Sequence, residues 1–562
     1  MITAENNERK PKKAFSALKN LAPAYFTAFG LCFMLFVYEP LLMYCTHVLD
    51  FWFDIPLMLL PMLSGFFLFF LGISAVITAA YFVIGAVAKE KAEFIFQMAE
   101  IVFFGLFFVT FLQGNILSMN LPALDGSEID WKGLYVCDVI TLAAMLITAG
   151  LLVFLTVKKG ARFVLKYMKP LSIGICVFLT LFMIAEMIGW NAYKRKDSVI
   201  STDKNFSTLS EDRNFLILLC DAVGSAEFKE VLEENPQYKE VFEDFTYCPD
   251  TLSGYPCTRD NIPLILGGQF NKNEKAFQEF SSETLNSSPF FKTLDDSGYD
   301  INLYESELIW YGSRNYEIKN GEDFKDYKLP FGLFMREELK YVGYKYLPYL
   351  LKEISLIETM NFNGLVEMYK WDDHTIFQNI KNTPEITKVP QKVFSYIHTE
   401  GAHLPFGYDR DLNIIENGTY KQKIEAMITM LNAYIERLKD NNLYDNTVIV
   451  IMADHGNTAL ISADDMLVRA NPMFMIKGIN EHHSFTESQK PVSYGDLMDI
   501  YSALLEDRTA EEALSHIPDS RRRVYMWYRN FQLESHIVEY AVTGKAWEWE
   551  KFEKTGNVYD LY

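Results

Sequence analysis

The 562-residue sequence has no excess of basic residues. It contains 52 Lys and Arg residues against 73 Asp and Glu residues, which gives a formal net charge of −21 at pH 7. Proteins that bind nucleic acid present a basic face to its phosphates, so we expect no nucleic-acid partner for this chain. The sequence also lacks internal repeats and low-complexity segments, which excludes a repeat array.

Cysteine is scarce as well. The seven cysteines include no Cys-x-x-Cys pair and show no zinc-finger spacing, which excludes the common cysteine-based zinc sites. Cys248 and Cys257 flank a loop, and they would form a disulfide if that loop faced an oxidising space. Two free thiols are the other interpretation, and the sequence leaves both open.

Long apolar runs, in contrast, crowd the first third of the chain. Five runs have about 20 or more mostly apolar residues, the length needed to cross a hydrocarbon core of ~30 Å. One such run could be a buried core helix, but five in succession predict a membrane anchor of five transmembrane helices over residues 1–190. A cleaved signal peptide is excluded because the first run is too long and further spans follow. The runs are Ala22–Tyr44, Pro56–Val87, Phe94–Met119, Val136–Val157 and Leu171–Trp190.

The distribution of Lys and Arg predicts the orientation of this anchor. The N-terminus carries five basic residues between Arg9 and Lys19, and the loop after the second run carries Lys89 and Lys91. The loop after the fourth run reads KKGARFVLKYMK, whereas the other two loops are acidic. Basic loops stay on the cytoplasmic side. Five spans then place everything after Trp190 outside the cytoplasm, as a multi-pass protein of the cell membrane and cell envelope.

The rest of the chain has the pattern of an α/β protein. Residues 191–212 are polar and irregular, which is typical of a linker. Short continuous apolar runs then predict strands buried on both faces of a parallel sheet. An apolar stripe from Ile424 to Leu438 predicts a helix between them. This alternation predicts helices on both faces of a sheet over residues 213–515, followed by a small C-terminal α+β part over 516–562. The predicted strands are Phe215–Cys220, Val393–Ile397, Val448–Met452 and Met473–Ile476.

Polar residues follow three of these predicted strands. Asp221 follows the first, the segment His398–His403 ends the second, and Asp454 and His455 follow the third. Functional groups collect at the carboxyl ends of strands in open α/β sheets. Together with Thr258, from a loop that leads into a helix, these side chains can bind one divalent cation. Mixed oxygen and imidazole ligands favour Zn²⁺ or Mn²⁺.

Each of these residues also has a plainer interpretation. Asp221 could cap a turn or helix, the segment 454–456 could be an ordinary turn, and Thr258 could be a helix cap. In the functional interpretation, the cation lowers the pKa of the Thr258 hydroxyl and makes it a nucleophile near neutral pH. The N-terminus of the helix behind it would supply N–H donors for an anionic substrate.

Taken together, five segments resemble the alkaline phosphatase/sulfatase superfamily. Within it, they resemble the membrane-bound group of phosphoethanolamine transferases and lipoteichoic acid synthases. The resemblance covers Asn214 to Leu505, and the five-span anchor is similar to the layout of this group. The segments are NFLILLCDAVG, SGYPCTRDNIPLILGG, SYIHTEGAHLPF, LYDNTVIVIMADHGN, and NPMFMIKG followed by PVSYGDLMDIYSALL.

The resemblance assigns roles to particular residues. Asp221, Thr258, Asp454 and His455 would be the metal ligands, and Thr258 would also be the nucleophile. His403 would be a second catalytic residue, on the substrate side of the metal. The substrate-binding residues would be His483, His398 and Arg259.

The function implied by the resemblance is transfer of phosphoethanolamine or phosphoglycerol from a membrane lipid to a cell-surface glycan or polymer. Cys257-Thr-Arg-Asp-Asn departs from the Cys-x-Pro-x-Arg that sulfatases need for formylglycine, and Ala222 replaces their second acidic residue. Asp221 itself is one methylene shorter than the Glu usual in phosphoethanolamine transferases. The alternatives are a sulfatase-like hydrolase of sulfate or phosphate esters and an inactive relative with an assembly role. Retention of all the presumed metal positions argues against the inactive relative.

Overall fold

The computed structural model describes residues 9–118, 121, 131–306, 312, 314–323, 327–355, 357, 360–366, 368–457, 469–528 and 536–560. The chain divides into two compact units. The first, which we call the helical unit, comprises Met1–Lys196 and Lys325–Val366. The second, the sheet unit, comprises Asp197–Phe324 and Glu367–Tyr562.

Helices account for most of the helical unit. In its N-terminal part they are α1 (Arg9–Phe33), α2 (Glu39–Thr46), α3 (Ile55–Ala88), α4 (Ala92–Asn115), α5 (Tyr135–Lys159) and α6 (Ala161–Gly189), with a π-helical turn at Met34–Tyr38 between the first two. The sheet unit continues with α7 (Ser225–Glu234), α8 (Tyr238–Val241), α9 (Thr258–Gly267), α10 (Phe277–Asn286) and α11 (Pro289–Asp296). The chain then returns to the helical unit with α12 (Phe331–Tyr346), α13 (Tyr349–Lys352) and α14 (Met360–Asn363). The last helices, in the sheet unit, are α15 (Asp373–Asn382), α16 (Tyr420–Asp440), α17 (Leu497–Leu505) and α18 (Ala510–Ser515).

Four segments of the described chain are long and apolar enough to cross a membrane: Asn20–Thr46, Ile55–Asn115, Tyr135–Lys159 and Ala161–Gly189. The second of them contains both α3 and α4. These two helices fold back on each other, because the Tyr81 and Phe96 rings lie 5.0 Å apart, whereas fifteen residues of one straight helix would span about 22 Å. A membrane anchor is therefore supported, and the count of five separate spans remains a prediction.

The central sheet of the sheet unit has the strand order β12-β4-β11-β10-β3-β9-β6. The four consecutive strands β10, β3, β9 and β6 are parallel, with β6 at the edge of the sheet, whereas β11 runs antiparallel to β10. In chain order the strands of this unit are β1 (Val199–Ser201), β2 (Thr208–Ser210), β3 (Asn214–Cys220), β4 (Thr246–Tyr247), β5 (Thr251–Leu252), β6 (Tyr299–Tyr304), β7 (Gly321–Asp323), β8 (Thr387–Val389), β9 (Lys392–Thr399), β10 (Thr447–Met452), β11 (Phe474–Lys477), β12 (Thr486–Glu487), β13 (Val492–Ser493), β14 (Arg523–Trp527), β15 (His536–Val542) and β16 (Phe552–Asp560).

The strand β3 is buried on both faces. Its successive side chains alternate between two separate apolar clusters, as the two-residue period of a strand requires. Helices α9, α11 and α17 complete one cluster, and α7, α15 and α16 complete the other. Each fully buried Leu or Ile there contributes about 1.5–3 kcal/mol. The predicted α/β sheet with helices on both faces is confirmed. One cluster takes Phe215, Ile217 and Leu219, and the other takes Leu216, Leu218 and Cys220.

Two domain boundaries differ from the prediction. Residues 197–212 were expected to be part of an irregular linker, but they contain β1 and β2, which pair with β7 and β8 in the sheet unit. These strands are only three residues long, too short to show a readable alternation. The stretch Lys325–Val366, expected within the sheet domain, clusters with the helical unit instead. At the C-terminus, β14, β15 and β16 form an antiparallel sheet, and a separate C-terminal α+β part remains a prediction.

Candidate active site

Three neighbouring parallel strands deliver polar side chains to one edge of the sheet. In the β10–β3 pair Met452 lies opposite Leu219, and in the β3–β9 pair Cys220 lies opposite Thr399. The strands therefore end side by side. Asp221, Asp454 and His455 consequently meet, with one ligand atom of each within 4.8 Å of the others.

Both carboxylates of this group keep one buried oxygen without a hydrogen-bond partner. The Ala222 N–H donates to Asp454 Oδ1 over 3.0 Å, while Asp454 Oδ2 and Asp221 Oδ1 have no partner. His455 Nε2 lies 3.2 Å from that oxygen of Asp454 and 3.8 Å from that of Asp221. Buried carboxylate oxygens are costly to leave unpaired. A divalent cation between the three groups would satisfy both.

The imidazole of His455 is also oriented to bind a cation. Its Nδ1 lies 2.8 Å from the Gly456 carbonyl oxygen, which can only accept, so Nδ1 carries the hydrogen. Nε2 then presents a lone pair to the two free carboxylate oxygens, the arrangement in which histidines bind metal ions. The donor set of two carboxylate oxygens and one imidazole nitrogen thus fits a divalent cation.

Thr258 brings a hydroxyl close to this group. It is the first residue of α9, and its Oγ1 lies 3.5 Å from His455 Nε2. Cys257, not Thr258, occupies the N-cap position, and the cap makes no side-chain hydrogen bond. The interpretation of Thr258 as a helix cap is therefore excluded. Its buried hydroxyl lies where the helix N-terminus also offers backbone N–H donors to an anion.

His398 also reaches the group, supported by a glutamate that the sequence did not reveal. Its Nδ1 lies 3.0 Å from an oxygen of Glu305, a fully buried residue just after β6, and its Nε2 lies 3.7 Å from Asp221 Oδ2. Burial lowers the pKa of His398, but the Glu305 and Asp221 carboxylates outweigh it and raise that pKa well above its usual range. His398 thus faces Asp221 Oδ2 and leaves Oδ1 free for a cation.

The pKa values of the two carboxylates are shifted in opposite directions. Burial alone would raise the pKa of Asp221, but the neighbouring imidazoles of His398 and His455 outweigh it and lower that pKa. Burial and the neighbouring Asp221 carboxylate raise the pKa of Asp454. Two carboxylates this close repel each other when both are ionised. A cation bound between them would neutralise that repulsion.

Two more of the predicted residues lie in the segments around this group without joining it. His403 is exposed, and its Nδ1 lies 2.7 Å from the Leu404 carbonyl oxygen. The Arg259 guanidinium donates to Asp260 over 3.0 Å and lies over the Phe277 ring. His403 therefore faces solvent, where a substrate would approach, while Arg259 is held by an acidic partner within its own helix.

His483 does not belong to this site, contrary to the expectation from the sequence. The strand β11 runs antiparallel to β10, so the chain after Lys477 emerges at the opposite edge of the sheet from Asp454. There the His483 backbone N–H donates to Asp244, and its Nε2 lies 3.7 Å from Glu481. The strand reversal, which spacing along the chain cannot reveal, separates it from the acidic pair.

The loop that carries His403 wraps tightly around the backbone of Asp221. The Asp221 N–H donates to the Thr399 carbonyl, and the Ala402 N–H donates to the Asp221 carbonyl. The buried Lys423 ammonium closes the loop with hydrogen bonds to Glu400 Oε2 and the His403 carbonyl, at 2.9 and 2.6 Å. Asp221 and His403 are therefore tied to one piece of backbone.

Gly401 is the position in this loop that admits no side chain. Its φ is +51°, and a Cβ there would lie 2.6 Å from the backbone nitrogen and oxygen of Asp221. We expect Gly401→Ala to push Asp221 out of line, to lower the free energy of unfolding by about 1–3 kcal/mol or more, and to lower metal content. Gly407→Ala is the matched control, since nothing lies within 4 Å of a Cβ at that position. Thermal unfolding and metal analysis should separate the two variants, and equal behaviour would contradict the tight packing.

The two cysteines that flank the loop before Thr258 are free thiols. Cys248 and Cys257 form no disulfide. Cys257 Sγ lies 2.6 Å from the Tyr528 hydroxyl, and burial together with the nearby Asp260 carboxylate raises its pKa to about 12. The thiol next to Thr258 is thus kept protonated and unreactive.

Comparison with known proteins identifies the family of this domain. A family model described as Sulfatase matches residues 213–501, more than half of the chain. A search of the curated proteins found no match. Solved structures align with low identity. The lipoteichoic acid synthase LtaP from Listeria monocytogenes is 12% identical, with a TM-score of 0.35 over 65% of this chain and 90% of that one. An alkaline phosphatase superfamily protein from Vibrio parahaemolyticus is 15% identical (TM-score 0.37; 65% and 85%). The phosphonate monoester hydrolase SpPMH from Silicibacter pomeroyi is 13% identical (TM-score 0.34; 62% and 89%).

Proposed function

Because this chain belongs to the sulfatase family of the alkaline phosphatase superfamily, we propose that it is a membrane-anchored, metal-dependent phosphotransferase. Its reaction would move a phospho-head-group, phosphoethanolamine or phosphoglycerol, from a lipid to a hydroxyl on a cell-surface glycan or polymer. The family makes the chain a hydrolase or phosphotransferase. The head-group transfer, the lipid donor and the acceptor are our proposal.

One observation carries the proposal: the buried Thr258 hydroxyl lies against a donor set that fits a divalent cation. Thr258 Oγ1 is 3.5 Å from His455 Nε2, and the partnerless oxygens of Asp221 and Asp454 face the same imidazole nitrogen. A cation held there would lower the pKa of the hydroxyl and neutralise phosphate charge. A threonine that only capped a helix would not require two buried carboxylates and an imidazole beside its hydroxyl.

The reaction would have two displacement steps at phosphorus. In the first, Thr258 Oγ1 forms a bond to the lipid phosphorus while the bond from phosphorus to the glycerol oxygen breaks, and diacylglycerol leaves with a proton. In the second, the acceptor hydroxyl forms a bond to the same phosphorus and Thr258 regains its hydroxyl. N–H groups at the start of α9 would hold the phosphate oxygens, and the exposed His403 would move the proton of the acceptor.

The thiol next to the nucleophile supports this reaction over formylglycine chemistry. Formylglycine formation needs the motif Cys-x-Pro-x-Arg, and Cys257-Thr-Arg-Asp-Asn lacks both its proline and its arginine. In the folded protein the Cys257 thiol lies against the Tyr528 hydroxyl, and burial raises its pKa to about 12. The hydroxyl that faces the acidic pair is the side chain of Thr258. A lipid donor also gives the membrane anchor a purpose, because it holds the enzyme where the donor is concentrated.

The test uses the full-length protein in proteoliposomes that contain fluorescent phosphatidylethanolamine or phosphatidylglycerol. We expect metal-dependent release of diacylglycerol and, by mass spectrometry, a head-group adduct on Thr258. In cells, a reporter fused after Trp190 should be active only outside the cytoplasm. Release of sulfate from an aryl sulfate, with neither lipid turned over, would overturn the proposal in favour of a sulfatase-type hydrolase. A cytoplasmic reporter would overturn the extracytoplasmic site.

A further inference from the structure

The segment that interrupts the sheet unit, residues 327–355 and 360–366, is the subject of this inference, and we refer to it as the inserted segment. It belongs to the helical unit, although both flanking stretches of chain belong to the sheet unit. We propose that the inserted segment lies in the lipid–water interface of the membrane, with one apolar face in contact with lipid. The partner of that face is the bilayer itself, specifically its extracytoplasmic leaflet.

The inserted segment is fixed to the loop between α2 and α3. The Trp52 backbone N–H donates to the Asn363 side-chain oxygen over 2.9 Å, and the Asn363 side-chain nitrogen donates to the Asp50 carbonyl over 2.7 Å. Asn363 is fully buried. This loop joins the ends of two apolar helices, so the contact places the inserted segment at the level where membrane-crossing helices would leave the bilayer.

Helix α12 makes a second attachment at the same level. Its Tyr346 ring packs so closely on Gly114 that a Cβ there would lie 2.1 Å from the ring. Gly114 is the residue before the last of α4. Lys345 and Tyr346 also bind the buried Glu39 carboxylate at the start of α2, with a lysine-to-carboxylate distance of 2.6 Å. These polar groups hold α12 against the helix ends in one orientation.

The other end of α12 reaches deeper. The Met335 sulfur packs closely on Gly65, since a Cβ on that glycine would lie only 2.5 Å from the sulfur. Gly65 is ten residues into α3, so it lies about 15 Å along that helix from its start. The inserted segment therefore follows the apolar surface of α3 as well as its end. A segment that only covered the loops would make no such contact.

The surface that these contacts leave exposed is rich in apolar side chains, with the charged Arg336 and Lys340 of α12 beside them. Leu350 and Ile354 are 78% and 82% exposed, and they neighbour the half-exposed Leu351. On α12, the partly exposed residues include Phe331, Leu333 and Leu339. An apolar patch of this kind on a segment fixed at the level of the membrane surface matches an interfacial helix.

The test measures the depth of single labelled positions in the full-length protein, reconstituted in vesicles of phosphatidylethanolamine and phosphatidylglycerol. Cysteine is introduced by Ile354→Cys and labelled with an environment-sensitive fluorophore, with the unsubstituted protein as the labelling blank. Val558→Cys, at an exposed apolar position of β16, is the water-exposed control. Leu146→Cys, exposed on α5, is the control for a position in the bilayer.

We expect the label at position 354 to resist iodide quenching several-fold better than that at 558, and to be quenched by nitroxide lipids with headgroup-level labels. The label at 146 should be quenched by nitroxides deeper in the acyl chains. Iodide quenching at 354 equal to that at 558 would overturn the proposal. Shielding from iodide without quenching by any nitroxide lipid would also overturn it and would identify a protein partner. Failure at position 146 alone would count against the membrane anchor.

Discussion

Thr258→Ala is expected to abolish head-group transfer while the protein folds and keeps most of its metal. The hydroxyl is the group that would form the bond to phosphorus, and the ligands Asp221, Asp454 and His455 remain in place without it. Nucleophile and metal act as one unit, so turnover should fall by several orders of magnitude. Turnover of fluorescent lipid donors, metal content and thermal unfolding are the measurements.

Two further variants sharpen this experiment. Thr258→Ser keeps the oxygen but loses the stiff β-branched side chain, so partial activity is expected. Cys257→Ala should leave turnover close to wild type, because the thiol is occupied by the Tyr528 hydroxyl. Wild-type activity in Thr258→Ala would remove the central residue of the mechanism. Activity lost only in the Cys257 variant would move the nucleophile to that position.

The sequence was most informative where burial alone shapes the pattern. Strands β3, β10 and β11 are almost continuous apolar runs because both of their faces are covered, and β9 is such a run with Ser395 inside it. Each is predicted to within two residues. The positions of Asp221, Asp454 and His455 at one edge of the sheet follow from parallel strands that end together. The free oxygens that favour a cation became visible only in the structure.

Glu305 was missed because its strand does not look buried. β6 reads YDINLY, in which Asp300 and Asn302 interrupt the apolar residues. The sequence did contain one signal for it: Glu305 is a charged residue immediately after a short strand-like run that contains Ile301 and Leu303. Once β6 is placed next to β9, Glu305 necessarily lies beside His398.

The inserted segment shows a different limit. Residues 327–355 have the mixed pattern of a surface helix, and no property of the sequence says which surface they cover. Their place is decided by contacts far apart in the chain, such as Asn363 with Trp52 and Tyr346 with Gly114. The prediction for His483 is wrong for a related reason, since the direction of β11 decides which edge of the sheet this residue reaches.

Asp454→Asn is expected to lose the bound cation without unfolding the protein. The amide oxygen can still accept the hydrogen bond from the Ala222 N–H, but an NH₂ group replaces the oxygen that has no partner. Metal affinity should fall by more than the ~10–100-fold typical of residues that only support a ligand. Purified wild-type protein should hold about one divalent ion, with Zn²⁺ or Mn²⁺ favoured by this donor set.

Asp373→Asn provides the matched control for this variant. Asp373 is also a buried carboxylate with one oxygen on a backbone N–H, that of Gly401, and one oxygen without a partner, but it lies outside the ligand group. The Asp373→Asn variant should therefore keep its bound metal ion.

The metal-free proteins separate a ligand from a merely structural residue. Burial and the Asp221 carboxylate raise the pKa of Asp454, so its charged form destabilises the metal-free fold at neutral pH. Asp454→Asn removes that charge. The metal-free variant should therefore melt at or above the temperature of metal-free wild type, whereas added Zn²⁺ or Mn²⁺ should raise the melting temperature of wild type alone. A metal-free variant that melts well below wild type, or full metal occupancy after dialysis, would show that Asp454 holds the fold rather than the cation.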